Sequence, residues 1–192
     1  MQLVFATNNA HKVAEVQSKI NQQIKVLSLA DIGCFEDIAE TGLTLEENAS
    51  IKSHYVFDNY QINCFADDTG LEIETLNQEP GVFSARYSGS RDAEKNIDLV
   101  LEKLKNESNL KARFRTVISL ILNGEEILFE GIVNGNIRKE RSGNGGFGYD
   151  AIFEPEGYNI TFAEMDMASK NNISHRGLAV EKLIHYLNGL EK

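Results

Sequence analysis

Tryptophan is absent from this 192-residue chain, and only two prolines and two cysteines occur. Cys34 and Cys64 are too few for a disulfide scaffold, which points to a reduced, cytoplasmic setting. Pro80 and Pro155 stand alone and no low-complexity linker is visible, so a single domain over residues 1–192 is expected. Cations are scarce too: 19 Lys and Arg face 29 Asp and Glu, a formal charge of −10. That excludes a broad basic face for a nucleic-acid polymer or an anionic membrane, while leaving room for a small phosphorylated ligand held by a few local cations. No apolar run reaches transmembrane length, and the opening MQLVFATNNAHK has no charged leader before its short apolar stretch. Neither a membrane span nor a signal peptide is expected.

What is present alternates between strand and helix patterns. Leu3 to Ala6 reads as a buried strand, Thr7-Asn8-Asn9 breaks it, and Val13, Val16 and Ile20 recur at helical spacing. A helix start after a polar loop offers free N–H groups to phosphate. Thr44-Leu45-Glu46-Glu47 has the form of a capping box. The helix it opens should carry Asn48 and Lys52 on one face, with Glu40 just upstream. Ile62 to Ala66 reads as a strand, Asp92 to Leu104 as a helix. Phe114 to Leu122 and Glu126 to Val133 flank Asn123-Gly124, a hairpin signal. Thr161 with Glu164 caps a short helix, and Ser174 caps the last one, whose Leu178, Leu183, Ile184 and Leu187 face the core. One hairpin among interspersed helices predicts an α/β fold with a mixed sheet.

The stretch INCFADDTGL, residues 62–71, ends an apolar run in two adjacent carboxylates. Unpartnered buried carboxylates are costly. Successive strand side chains point to opposite faces, so Asp67 and Asp68 need not share one site. A carboxylate beside a glycine turn suits Mg²⁺, which binds through one or two carboxylates, waters and substrate phosphates; Glu40 is a candidate second carboxylate. A solvated Asp-Asp-Thr-Gly turn fits the same residues. Asp68-Thr69-Gly70 is also the tripeptide of aspartic proteases, but those need two such carboxylates and only one Asp-Thr-Gly occurs. The loop SGNGGFGY, 142–149, permits close backbone approach, and Phe147 and Tyr149 could stack on a flat base. It is neither a Walker A loop nor a Rossmann fingerprint.

TNNAHK, ETGLTLEENA, FADDTGL, GVFSARYSG, GNGGFGYDAIF and SHRG follow one another in a single order. In this the chain strongly resembles the inosine triphosphate pyrophosphatase family, the dITP/XTP or non-canonical purine NTP pyrophosphatases, over nearly its whole length. The resemblance implies an elongated mixed β-sheet with flanking helices, two lobes around a central cleft, and a homodimer. It implies Mg²⁺-dependent hydrolysis of ITP, dITP and XTP to the monophosphate and pyrophosphate. By the same likeness Asp68 matches the catalytic acidic residue and a metal ligand, and Glu40 a metal-associated residue; Lys52, on the helix face read above, would offset the Asp68 charge together with Mg²⁺. Thr7, Asn8, Asn9, Ala10, His11 and Lys12 match the phosphate loop. Thr69, Phe147, Gly148, Tyr149, Asp150, Lys170, His175 and Arg176 match substrate contacts. Thr69 stands where many members have serine, and Asn8 where glycine is frequent.

Overall fold

The computed structural model describes residues 2–17, 19, 20 and 24–189, and leaves the side chains of Ala10, His11, Ala14 and Glu15 outside the description. Its first strand, β1 (Gln2–Phe5), buries Leu3, Val4 and Phe5. It pairs in parallel with β2 (Lys25–Leu27) on one side and β3 (Cys64–Ile73) on the other, with Phe5 opposite Phe65. Crossovers between parallel strands need a long connection, and α1 (Ala10–Gln17) and α2 (Leu45–Tyr60) lie in those connections. The rest of the sheet is antiparallel where register is defined: β4 (Pro80–Gly81) pairs with β3, and β7 (Phe153–Pro155) with β6 (Glu125–Ile137). With β5 (Lys111–Leu122) the strand order is β2-β1-β3-β5-β6-β7, and β4 lies off that path on β3. The sheet is mixed, as the interspersed pattern predicts. Asn123 and Gly124 both adopt positive φ, 53° and 87°, the requirement of a tight primed hairpin turn.

The chain divides into two compact units. The first comprises residues 1–68, 116–131 and 176–192. Its core joins Leu3, Phe5 and Phe65 to Ile118, Leu120 and the inner face of α5 (His175–Gly189), where Ala179, Val180, Leu183 and Leu187 are buried. Phe5 and Phe65 stack with centroids 4.4 Å apart. Leu178 and Ile184 of that helix are only partly buried. The second unit comprises residues 69–115 and 132–175. Its core gathers Leu71, Ile73, Phe114, Phe153 and Phe162 with Ile97, Val100 and Leu104, which line α3 (Ala93–Lys103) and its C-cap.

Three details depart from the sequence expectation. β3 does not stop before the carboxylates; it runs on through Asp67, Asp68, Thr69 and Gly70. Gly70 is not a turn. It faces Gly81 of β4, where an added Cβ would lie 2.7 Å from the Gly81 carbonyl oxygen, so glycine permits continued pairing. α1 ends at Gln17, leaving Ile20 buried but beyond the helix. A separate short helix, α4 (Met167–Ile173), capped by the Asp166 side chain on the Ser169 N–H, precedes α5. At seven residues it is too short to display a helical period, and Ser174 serves as its C-cap.

Candidate active site

The capping box of α2 forms as read: Thr44 Oγ1 accepts the Glu47 N–H at 3.1 Å, and Glu47 Oε2 accepts the Thr44 N–H at 3.3 Å. That fixes the rotation of the helix. Its buried face then runs Leu45, Asn48, Ala49, Lys52, Ser53 and Val56. Two strongly polar groups on a buried face demand partners. Asn48 donates through Nδ2 to Asp68 Oδ2 at 3.1 Å. Lys52 Nζ donates to Glu40 Oε1 at 2.5 Å and to the Asp67 carbonyl oxygen at 2.7 Å, and stands 3.8 Å from Asp68 Oδ1.

Asp67 meets a different set. Its Oδ1 accepts from Lys12 Nζ at 2.8 Å, and its Oδ2 from Arg176 Nε at 3.0 Å. Arg176 is 3% exposed and Asp67 2%. Neighbouring side chains of one strand thus diverge, as the pleat requires, and each carboxylate finds its own cations. α1 carries Lys12 in its first turn, and α5 carries Arg176 in its own. Thr7 and Asn9 shape the preceding loop: Thr7 Oγ1 accepts the Asn9 N–H at 3.1 Å, and Asn9 Oδ1 the Lys12 N–H at a long 3.4 Å.

The two adjacent aspartates are displaced in opposite directions. Burial would raise the Asp67 carboxyl, but Lys12, Arg176 and Lys52 outweigh it and hold the group well below the usual carboxylate range. Burial raises the Asp68 carboxyl and Glu40 adds to that, with Lys52 pulling against them. Lys52 itself is raised: burial disfavours its charge, yet Asp68, Glu40 and Asp67 outweigh that cost. Environments that push paired carboxyls apart separate a permanently charged group from one suited to proton transfer.

In the second unit the glycine loop folds onto Asp150. Asp150 Oδ2 accepts the Phe147 N–H at 2.7 Å and Lys170 Nζ at 2.8 Å. Gly146 has φ 73°, and any Cβ there would strike that same carboxylate. Lys170 Nζ also lies 4.7 Å from the centroid of the Phe147 ring, a cation–π distance. Phe147 is 37% exposed, whereas Tyr149, Asp150, Lys170 and His175 are buried. Tyr149 spends its hydroxyl on the Ser84 carbonyl oxygen at 2.8 Å, and the His175 ring stacks on Phe114 with centroids 4.5 Å apart. A half-exposed aromatic beside fixed donors is chemistry for a flat, polar-edged ring.

The structure therefore brings Lys12, Glu40, Lys52, Asp68 and Arg176 together in the first unit, and Phe147, Asp150 and Lys170 in the second. Thr7, Asn8 and Asn9 lie in the loop before Lys12, with Asn8 and Asn9 exposed. Ala10 and His11 begin α1, but their side chains lie outside the described residues. Thr69 and Gly148 are half-buried. Two residues received no role from sequence. Asp67 could not be assigned because its partners lie 55 and 109 residues away. Asn48 was visible on the Lys52 face of the helix, but its contact with Asp68 was not.

Glu40 and Asp68 flank the same ammonium group, so hard oxygen ligands already converge on a cation. Among the described residues no group of three or more His, Cys, Asp or Glu is arranged to hold a metal. A protein-only cage is thus not the mode this donor set supports. Two carboxylates suit Mg²⁺, which completes its shell with waters and phosphates. No helix among the described residues is long and apolar enough to cross a membrane.

Buried carboxylates matched by lysine and arginine make the first unit's cluster a site able to hold an anionic ligand. The chain belongs to the Ham1 family, whose model matches residues 3–186. A relative from Flavobacterium psychrophilum, named dITP/XTP pyrophosphatase, is 54% identical over 97% of this chain and 98% of its own length. One of the same name from Flavobacterium johnsoniae is 51% identical over 97% and 98%. Among solved structures, the Staphylococcus aureus Ham1 protein superposes with a TM-score of 0.92 at 38% identity, covering 100% of both chains. A HAM1 protein from Coxiella burnetii gives 0.92 and 38%, covering 98% of this chain and 99% of its own.

Proposed function

We propose that this chain is a single-domain, Mg²⁺-dependent nucleoside triphosphate pyrophosphatase that hydrolyses ITP, dITP and XTP to the monophosphate and pyrophosphate. It would cleanse the nucleotide pool, in the cytoplasm and as a homodimer. Relatives named dITP/XTP pyrophosphatase at 54% and 51% identity support the activity class. The single structural observation that carries the reading is the pair Asp68 and Glu40 around Lys52, beside an Asp67 held by Lys12 and Arg176.

Glu40 and Asp68 would hold Mg²⁺. When bound, that ion makes the α-phosphorus more electrophilic and neutralises the leaving pyrophosphate. The chain's own groups do the rest. Asp68 accepts the proton from a water attacking the α-phosphorus; the bond to the pyrophosphate oxygen breaks and its electron pair leaves with pyrophosphate. Lys52 compensates the carboxylates before and after that transfer. The loop from Thr7 to Lys12 presents backbone N–H groups and one ammonium to phosphate oxygens. Thr69 offers a hydroxyl next to Asp68.

Base selection rests on donors. Inosine and xanthosine bases carry an oxygen at C6, an acceptor, where adenine carries an amino group. Lys and Arg have donors only, so Lys170 and Arg176 can meet the oxygen and offer nothing to the amino group; His175 and the backbone from Phe147 to Asp150 add further candidates. Asp150 keeps Lys170 and the Phe147 N–H in place. Sites built on such pairing discriminate by about 10⁴-fold. The test is a panel of triphosphates with Mg²⁺ and identification of both products. We expect pyrophosphate plus monophosphate, and kcat/KM far higher for ITP, dITP and XTP than for ATP, and than for GTP, which shares the C6 oxygen but brings a 2-amino group to meet a wall or an unpaired donor. Orthophosphate with a diphosphate left behind, or equal kcat/KM for ATP and ITP, would overturn it.

A further inference from the structure

The carboxylates of the site come from separate stretches of chain: Glu40 from the segment before α2, Asp68 from β3. A two-carboxylate metal site works only if their spacing is held, since Mg²⁺ tolerates little departure from octahedral geometry. The Asn48 side chain touches both segments. Asn48, 0% exposed, donates through Nδ2 to Asp68 Oδ2 at 3.1 Å and accepts the Gly42 N–H at Oδ1 at 2.8 Å. Gly42 is two residues from Glu40. The partners settle which way the carboxamide faces, because a backbone N–H needs the oxygen and a carboxylate needs the amide. The fit over Asn48 is tight: a Cβ on Gly42 would lie 2.8 Å from Asn48 Oδ1 and 2.6 Å from Glu47 Cβ. One turn further along α2, Lys52 makes a parallel link, from Glu40 Oε1 to the Asp67 carbonyl oxygen. The buried face of α2 thus ties the Glu40 segment to β3 by two successive rungs.

We infer that Asn48 is the positioning residue that sets the spacing of Glu40 and Asp68 as a divalent-cation site, touching neither metal nor substrate itself. This rests on the metal-dependent reading above. Residues that orient metal ligands change metal affinity by about 10- to 100-fold when removed. The probe is Mn²⁺ alone, its free aquo ion counted by electron paramagnetic resonance, with thermal melting recorded in parallel. Asp68→Asn and Glu40→Gln serve as controls. Asn48→Ala is expected to weaken Mn²⁺ binding by at least about 10-fold and to raise the Mg²⁺ concentration that half-saturates turnover. Should Asn48→Ala fail to fold, Gly42→Ala keeps Asn48 and displaces its partner, and the same loss of Mn²⁺ affinity is expected. If the controls weaken Mn²⁺ binding while Asn48→Ala or Gly42→Ala lowers only the melting temperature, the positioning role is wrong. If the controls leave Mn²⁺ binding unchanged, the two-carboxylate metal site itself is wrong, and this inference falls with it.

Discussion

The candidate site residues of the two units hold their polar groups in opposite styles. In the first, Glu40, Asp67 and Asp68 are matched by Lys12, Lys52 and Arg176 through ion pairs, with Lys52, Asp67, Asp68 and Arg176 buried. In the second, one lysine and one carboxylate sit against aromatic rings, with Lys170 between Asp150 and Phe147. Dense, balanced charge would let these residues hold phosphate and a metal, as proposed, with their own charges already compensated. Sparse donors against aromatic faces are the means to tell one flat base from another. On the proposed function, charge strength belongs to the first unit and most of the base-facing donors to the second.

The sharpest contrast within the first unit is between neighbours. Asp67→Asn removes the anion shared by Lys12 and Arg176 and leaves two cations facing one another. Breaking a buried pair in this way costs about 3–5 kcal/mol, so urea denaturation should show a large fall in stability. Asp68→Asn keeps the acceptor for Asn48 and removes a charge that burial already disfavours. Its melting temperature should stay near that of the parent, while kcat falls about 10²-fold or more. A stable Asp67→Asn without turnover, together with an active Asp68→Asn, would exchange the roles of the two residues. A smaller effect is expected of Lys12→Met. One charged hydrogen bond to phosphate is worth about 1.5–3 kcal/mol, so kcat/KM should drop by about 10- to 100-fold for every triphosphate alike. A change in base preference in that variant would remove Lys12 from the phosphate end.

Local features of this architecture were legible from sequence because their causes are local. The α2 capping box, the Asn123-Gly124 hairpin and the Thr161–Glu164 cap each depend on residues no more than three apart, and each is present. The run of β3 through Asp67 to Gly70 was not legible. Asp-Thr-Gly has turn chemistry locally, while its extended course goes with sheet pairing to distant strands, Gly70 lying tight against Gly81. The same limit applies at the site. Glu40 and Asp68 stand out by resemblance and Lys52 by its helix face, and the three converge, but the purpose of Asp67 depends on Lys12 and Arg176, from opposite ends of the chain. Asn48 lay in view on the Lys52 face; its meaning came only once β3 was seen to pack beneath it. Helix α4, which carries Lys170, was missed because seven residues are too few for a period to show.

The division of labour can be tested in one measurement: the ratio of kcat/KM for ITP to that for ATP, in Asp68→Asn and in Lys170→Met. If the first unit supplies phosphate chemistry and the second the choice of base, Asp68→Asn lowers both rates and leaves the ratio near its parent value. Lys170→Met instead collapses the ratio by removing the donor that Asp150 holds in place. A ratio that collapses in Asp68→Asn and survives in Lys170→Met would contradict the account.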